Sequence, residues 1–97
     1  MALTKKYLKT KPVCKVTFEL ENLEADQVFV AGDFNNWKEN DLALKKLKNG
    51  SFKGGINLPK GNKYEFRYII DGHWANEKDA DTHTQNEFGS ENSVLEV

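Results

Sequence analysis

Residues 62–74 read "NKYEFRYIIDGHW". Over 62–70 Tyr64, Phe66, Tyr68 and Ile70 fall on one side, and Glu65, Arg67 and Ile69 on the other. A period of two marks a half-buried β-strand, because successive side chains leave opposite faces of a pleated backbone. The even-numbered set is the core face. Asp71-Gly72 follows with two residues that tolerate positive φ, so a two-residue type I′ hairpin is expected. In that register Ile70 faces His73 and Ile69 faces Trp74. Trp74 then shares the outer face with Ile69, and Arg67 is its diagonal neighbour.

Working outward, Cys14, Val16, Phe18 and Leu20 alternate with Lys15, Thr17, Glu19 and Glu21, a second half-buried strand that places the one cysteine on the core side. Gln27 to Ala31 is apolar on both faces and suits a central strand. "GDFNNW" (32–37) follows it directly, which leaves Trp37 at or beyond a strand end. In that stretch Gly32 and Asp33 begin a turn, Phe34 anchors back into the core, and Asn35 and Asn36 shape the loop. "LALKKLK" and "SFKGGINL" flank Asn49-Gly50, a strong hairpin signal. "HWAN" and "SVLEV" complete about seven short strands, with turn signals spaced roughly every ten residues. The expected fold is all-β, an immunoglobulin-like antiparallel β-sandwich. Glu77 to Glu91 is polar and aperiodic, and reads as a functional loop.

At 97 residues the chain has room for one core. Lys5, Lys6, Lys9, Lys11 and Lys15 make the start basic, while the whole carries a formal net charge of −1. Residues 1–12 are therefore expected to be a basic, solvated arm, either extended or forming a helical turn, ahead of a domain at 13–97. Neither nucleic acid nor membrane is an expected partner, since the chain has no strong net field and no apolar run of about 20 residues. With no apolar signal segment after Met1 and only Cys14 for a thiol, a cytoplasmic monomer without disulfides is expected.

Catalytic patterns fail on inspection. Asp79, Asp81 and His83 imitate the start of a calcium loop, but Thr84 stands where glycine is needed and Ser90 where glutamate is needed. His73 and His83 with one cysteine do not make a closed zinc site. No nucleophile elbow, Walker loop or dinucleotide fingerprint is present, and "GSFKGG" lies in a strand. A sandwich of this length offers little cleft in which to desolvate a glycosidase acid pair. The reading is of a non-enzyme without cofactor. What stands out is the display of Trp37, Trp74 and Arg67. An exposed indole beside amide and guanidinium groups suits a sugar, whose C–H face covers the ring while its hydroxyls take the hydrogen bonds.

"VFVAGDFNNW", "LPKGNKYEFRYIIDGHW" and "FGSENSVLEV", in this order and spacing, resemble the signature blocks of the family forty-eight carbohydrate-binding modules, from about Val13 to Val97. That family includes the glycogen-binding domain of AMP-activated protein kinase β subunits and the isoamylase-type early-set domains. The resemblance implies non-catalytic binding of α-1,4-glucan oligo- or polysaccharides such as glycogen or starch. Residue by residue, it implies that Trp37 and Trp74 are the two platforms and that Arg67 stands where the family has lysine. It further implies that Phe88 is the apolar residue inserted into the glucan coil, where leucine is usual, with Ser90 and Asn92 as polar contacts; Ser93 replaces a second asparagine. Residues 77–91 would then carry Phe88 and Ser90 toward the two indoles. The alternatives on the same scaffold are a regulatory module that docks a protein partner, or a structural early-set domain.

Overall fold

In a computed structural model, residues 2–21, 23–78, 80–86 and 89–97 are described. They form nine strands and one short 3-10 turn. The strands are β1 (Ala2–Tyr7), β2 (Val13–Leu20), β3 (Val28–Gly32), β4 (Leu42–Lys46), β5 (Phe52–Pro59), β6 (Lys63–Ile70), β7 (His73–Ala75), β8 (Thr82–Gln85) and β9 (Glu91–Glu96); the 3-10 turn is Asp33–Asn35. Every pairing is antiparallel, in the order β1-β2-β5-β4-β3-β6-β9-β8, with β7 on β6. The sheet folds on itself at β4, which changes partner midway. Leu42 to Leu44 pair with β3, and Lys45 and Lys46 pair with β5. The expected all-β sandwich is thus realised as two layers of one continuous curled sheet.

Between the layers lie the alternating residues expected from the sequence. Cys14, Val16, Phe18 and Leu20 of β2 face Val28 and Val30 of β3 and Phe66 and Tyr68 of β6, all buried. Phe18 is the hub, with ring centroids 5.3 Å from Phe66, 6.1 Å from Tyr68 and 6.3 Å from Phe34. The edge-on contacts with Phe66 and Tyr68 add to the burial term.

Both expected hairpins are present, but they differ in form. Asp71 (φ 47°) and Gly72 (φ 85°) make the two-residue turn, with Ile70 opposite His73 and Ile69 opposite Trp74. At Asn49-Gly50 the loop is longer. Leu47 N–H still bonds the Ser51 carbonyl at 2.7 Å, so Lys48 to Gly50 form the connection, with Gly50 at φ 87°. That is the three-residue loop with a left-handed third position.

Two strands exceed the seven read from the sequence. Residues 2–7 of the basic start pair along β2 from Ala2 opposite Glu19 to Tyr7 opposite Cys14, the extended alternative made regular. Within the polar stretch 77–91, Thr82 to Gln85 pair with β9 as an edge strand. All four residues are exposed, so no alternation could betray them. The start of that stretch is anchored at Glu77. Glu77 is fully buried, receives a 2.8 Å hydrogen bond from Tyr68 Oη, and its own N–H bonds Ser93 Oγ at 2.8 Å.

Candidate functional site

Residues 32–37 leave the end of β3 by a network of local bonds. Asn35 Oδ1 accepts the Gly32 N–H at 2.9 Å and its Nδ2 donates to the Val30 carbonyl at 3.0 Å. Phe34 packs on Phe18 and Tyr64, the anchor expected of it. Gly32 is required by close approach, since a Cβ there would lie 2.6 Å from the Glu65 carbonyl oxygen and 2.8 Å from Phe66 Cβ. Asn36 and Trp37 then both adopt left-handed backbone, at φ 57° and 58°. For a bulky residue such as Trp this costs about 1–3 kcal/mol and persists only when neighbouring bonds over-determine it. Trp37 N–H bonds the Gly32 carbonyl at 2.9 Å, and its indole Nε1–H donates to Asp33 Oδ1 at 2.9 Å. The other oxygen, Asp33 Oδ2, accepts the Glu65 N–H at 2.8 Å. One carboxylate thus ties the indole to strand β6.

The second indole is set by the pairing of β6. One edge of β6 lies against β3, and the other is divided, with Lys63 to Phe66 on β9 and Tyr68 to Ile70 on β7. Arg67 falls at the division, opposite Ala31 on the β3 side. Its guanidinium carbon stands 5.6 Å from the Trp74 ring centroid, a cation–π contact that fixes both side chains. Arg67 Nε is shielded from solvent and has no hydrogen-bond partner among the described residues. Trp74 keeps 41 % of its surface exposed, which leaves ring area for a ligand.

Trp37, Arg67 and Trp74 line one open cavity of about 320 Å³, together with Asn86. Three of the expected site residues are thereby brought together from two separate parts of the chain, the β3 end and the β6–β7 hairpin. Asn86 was not foreseen. It sits at the turn between β8 and β9, where its N–H bonds the Ser90 carbonyl at 2.8 Å and its Nδ2 donates to Asn92 Oδ1 at 3.2 Å. Ser90 and Asn92 do not line this cavity. Ser90 is exposed and helps close the turn, while Asn92 donates to Glu65 Oε1 at 3.3 Å and supports Asn86 from behind. Phe88 lies outside the described residues. No group of His, Cys, Asp and Glu among the described residues is arranged to hold a metal ion.

A small curled β-sandwich that displays two fixed indoles and a stacked guanidinium on its outer face belongs, by fold and surface, to the class of β-sandwich binding modules. The family can be stated more narrowly. The family model described as the glycogen recognition site of AMP-activated protein kinase matches residues 14–97, and the chain belongs to that carbohydrate-binding family. It is 33 % identical over 89 residues to the chloroplastic phosphoglucan phosphatase LSF1 of Arabidopsis thaliana, a match covering 89 % of this chain and 14 % of that protein. It is 27 % identical over 71 residues to the human and mouse 5'-AMP-activated protein kinase subunit beta-2, covering 73 % of this chain and 25 % of each. The chain therefore spans at most a quarter of the length of these relatives.

Proposed function

We propose that this domain is a non-catalytic module that binds α-1,4-glucans of the glycogen and starch type. The observation that carries the reading is the shared cavity of Trp37, Arg67 and Trp74 in a chain of a glycogen-recognition family. The two indoles take the C–H faces of successive glucose units, and Arg67 and the Asn86 amide take hydroxyls. Phe88, Ser90 and Asn92 join from the third sequence block, as the family resemblance implies. The lining among the described residues consists of two indoles, a guanidinium and an amide, none of which serves as a general acid or base near neutral pH. Such a surface holds sugar without turning it over.

Two stacking platforms and a few hydroxyl contacts, less the cost of ordering a flexible ligand, leave about 4–7 kcal/mol, or roughly millimolar to ten-micromolar dissociation constants. Retardation in a native gel containing glycogen tests the reading. Trp37→Ala and Trp74→Ala should each abolish it while the circular dichroism of the sheet is kept. Retardation unchanged in both variants would overturn the assignment.

A further inference from the structure

We infer that the binding surface does not end at Trp37 but continues past it into a second groove on the same sheet face, which takes further neutral sugar units of a longer α-glucan chain. This rests on the glucan-binding reading given above. Trp37 is a partition with two usable sides. Away from Arg67 and Trp74 it lines another open cavity, of about 620 Å³, close to twice the volume of the first. The floor of that cavity is Phe29 and Ile69, and its rim carries Gln27, Lys38, Glu39, Asn40 and Asp71.

Strand register joins the two grooves. Trp74 is opposite Ile69, Ile69 is opposite Phe29, and Phe29 is opposite Ala43, so four residues form one row across β7, β6, β3 and β4. With strands about 4.8 Å apart, the row is about 14 Å long, enough for several sugar rings. It is an apolar track crossed by one indole. The rim chemistry indicates the ligand class. Gln27 and Asn40 supply amide donors and acceptors, and Glu39 supplies an acceptor. The Asp71 carboxylate already accepts the N–H groups of Asp26 and Gln27, at 3.0 and 2.9 Å, and stiffens the rim. Two carboxylates against the single Lys38 ammonium leave the rim net negative, which disfavours a phosphate or sulfate group, and the mix of donors and acceptors suits neutral hydroxyls. The left-handed backbone of Asn36 and Trp37 keeps the partition upright before ligand arrives, so little ordering cost falls on the second groove.

The test is a length series on the double variant Glu39→Ala/Asn40→Ala, whose two positions are exposed loop residues outside the Trp37–Arg67–Trp74 cavity. Calorimetry with maltotriose and maltoheptaose should give wild-type affinity for the short ligand and an approximately fivefold loss for the long one, the equivalent of one lost hydrogen bond. In the wild type, the Gly72 and Asn40 amide resonances should shift with maltoheptaose and not with maltotriose. A double variant that binds both ligands as the wild type does, with those amides unmoved, overturns the second groove and leaves the glucan-binding reading intact. Failure of the wild type to bind either ligand overturns both.

Discussion

Trp37 owes its position to Asp33, whose two carboxylate oxygens serve the indole N–H and the Glu65 amide. Asp33→Ala should therefore lower stability by about 1 kcal/mol and also weaken maltoheptaose binding, because the left-handed Trp37 loses the bond that holds its ring upright. Asp33→Asn keeps one acceptor but turns an amide NH2 toward the other N–H, and should recover at most part of the stability; chemical denaturation and calorimetry on the pair check this. At the other indole, Arg67→Ala removes the cation–π partner of Trp74 along with a hydroxyl donor. Binding should weaken about five- to thirtyfold with the fold intact, the sum of a contact worth about 0.5–1 kcal/mol and a hydrogen bond of similar size. Much at this scale was legible in the sequence. Alternation and Asp71-Gly72 are local signals, and they placed Trp74, Ile69 and Arg67 correctly relative to one another. Asn86 carries no such signal, because its place depends on the closure of β8 against β9.

Among elements, β6 organises the molecule through its divided edge, with β9 taking its first half and β7 its last. The site exists because Arg67 lies at that division. Close passage of the β3 end over β6 is the matching requirement, and Gly32 permits it. Gly32→Ala would force a Cβ against the Glu65 carbonyl and Phe66 Cβ, both on the rigid strand, and should cost about 1–3 kcal/mol or more in thermal unfolding. Whether a strand was readable follows from its faces. β2 alternates buried with more open residues along its length and β6 does so from Glu65 to Tyr68, and so they announce themselves, although Ile69 on the outer side of β6 is buried too. β8 exposes all four residues and β1 is lysine-rich, so both owe their pairing to a neighbour rather than to their own pattern. The polar stretch 77–91 reads as a loop for the same physical reason.

On the scale of the whole molecule, the curled sheet brings its two ends together. Lys5 Nζ of β1 lies 2.5 Å from Asp81 Oδ2, just ahead of β8, and the same oxygen accepts the Glu96 N–H at 2.8 Å. Partial burial of Asp81 opposes ionisation, but the Glu96 N–H and the Lys5 ammonium together outweigh it and hold the carboxyl below its ordinary 3.8. A depressed folded-state pKa means that the ionised form stabilises the fold above 3.8, and that this contribution is lost as pH falls through the lower folded value. Asp81→Asn should thus cost up to about 1 kcal/mol at neutral pH, and the difference from wild type should shrink on acidification, as urea denaturation at several pH values would read. The pairing of β3 with β6 in the same sheet brings Trp37 onto one outer face with Arg67 and Trp74 of the β6–β7 hairpin. Calorimetric titration of the wild type, Trp37→Ala and Trp74→Ala with maltoheptaose tests that arrangement most directly. Millimolar to ten-micromolar binding by the wild type, lost in both variants, is the expected result; variants that bind as the wild type does would contradict it.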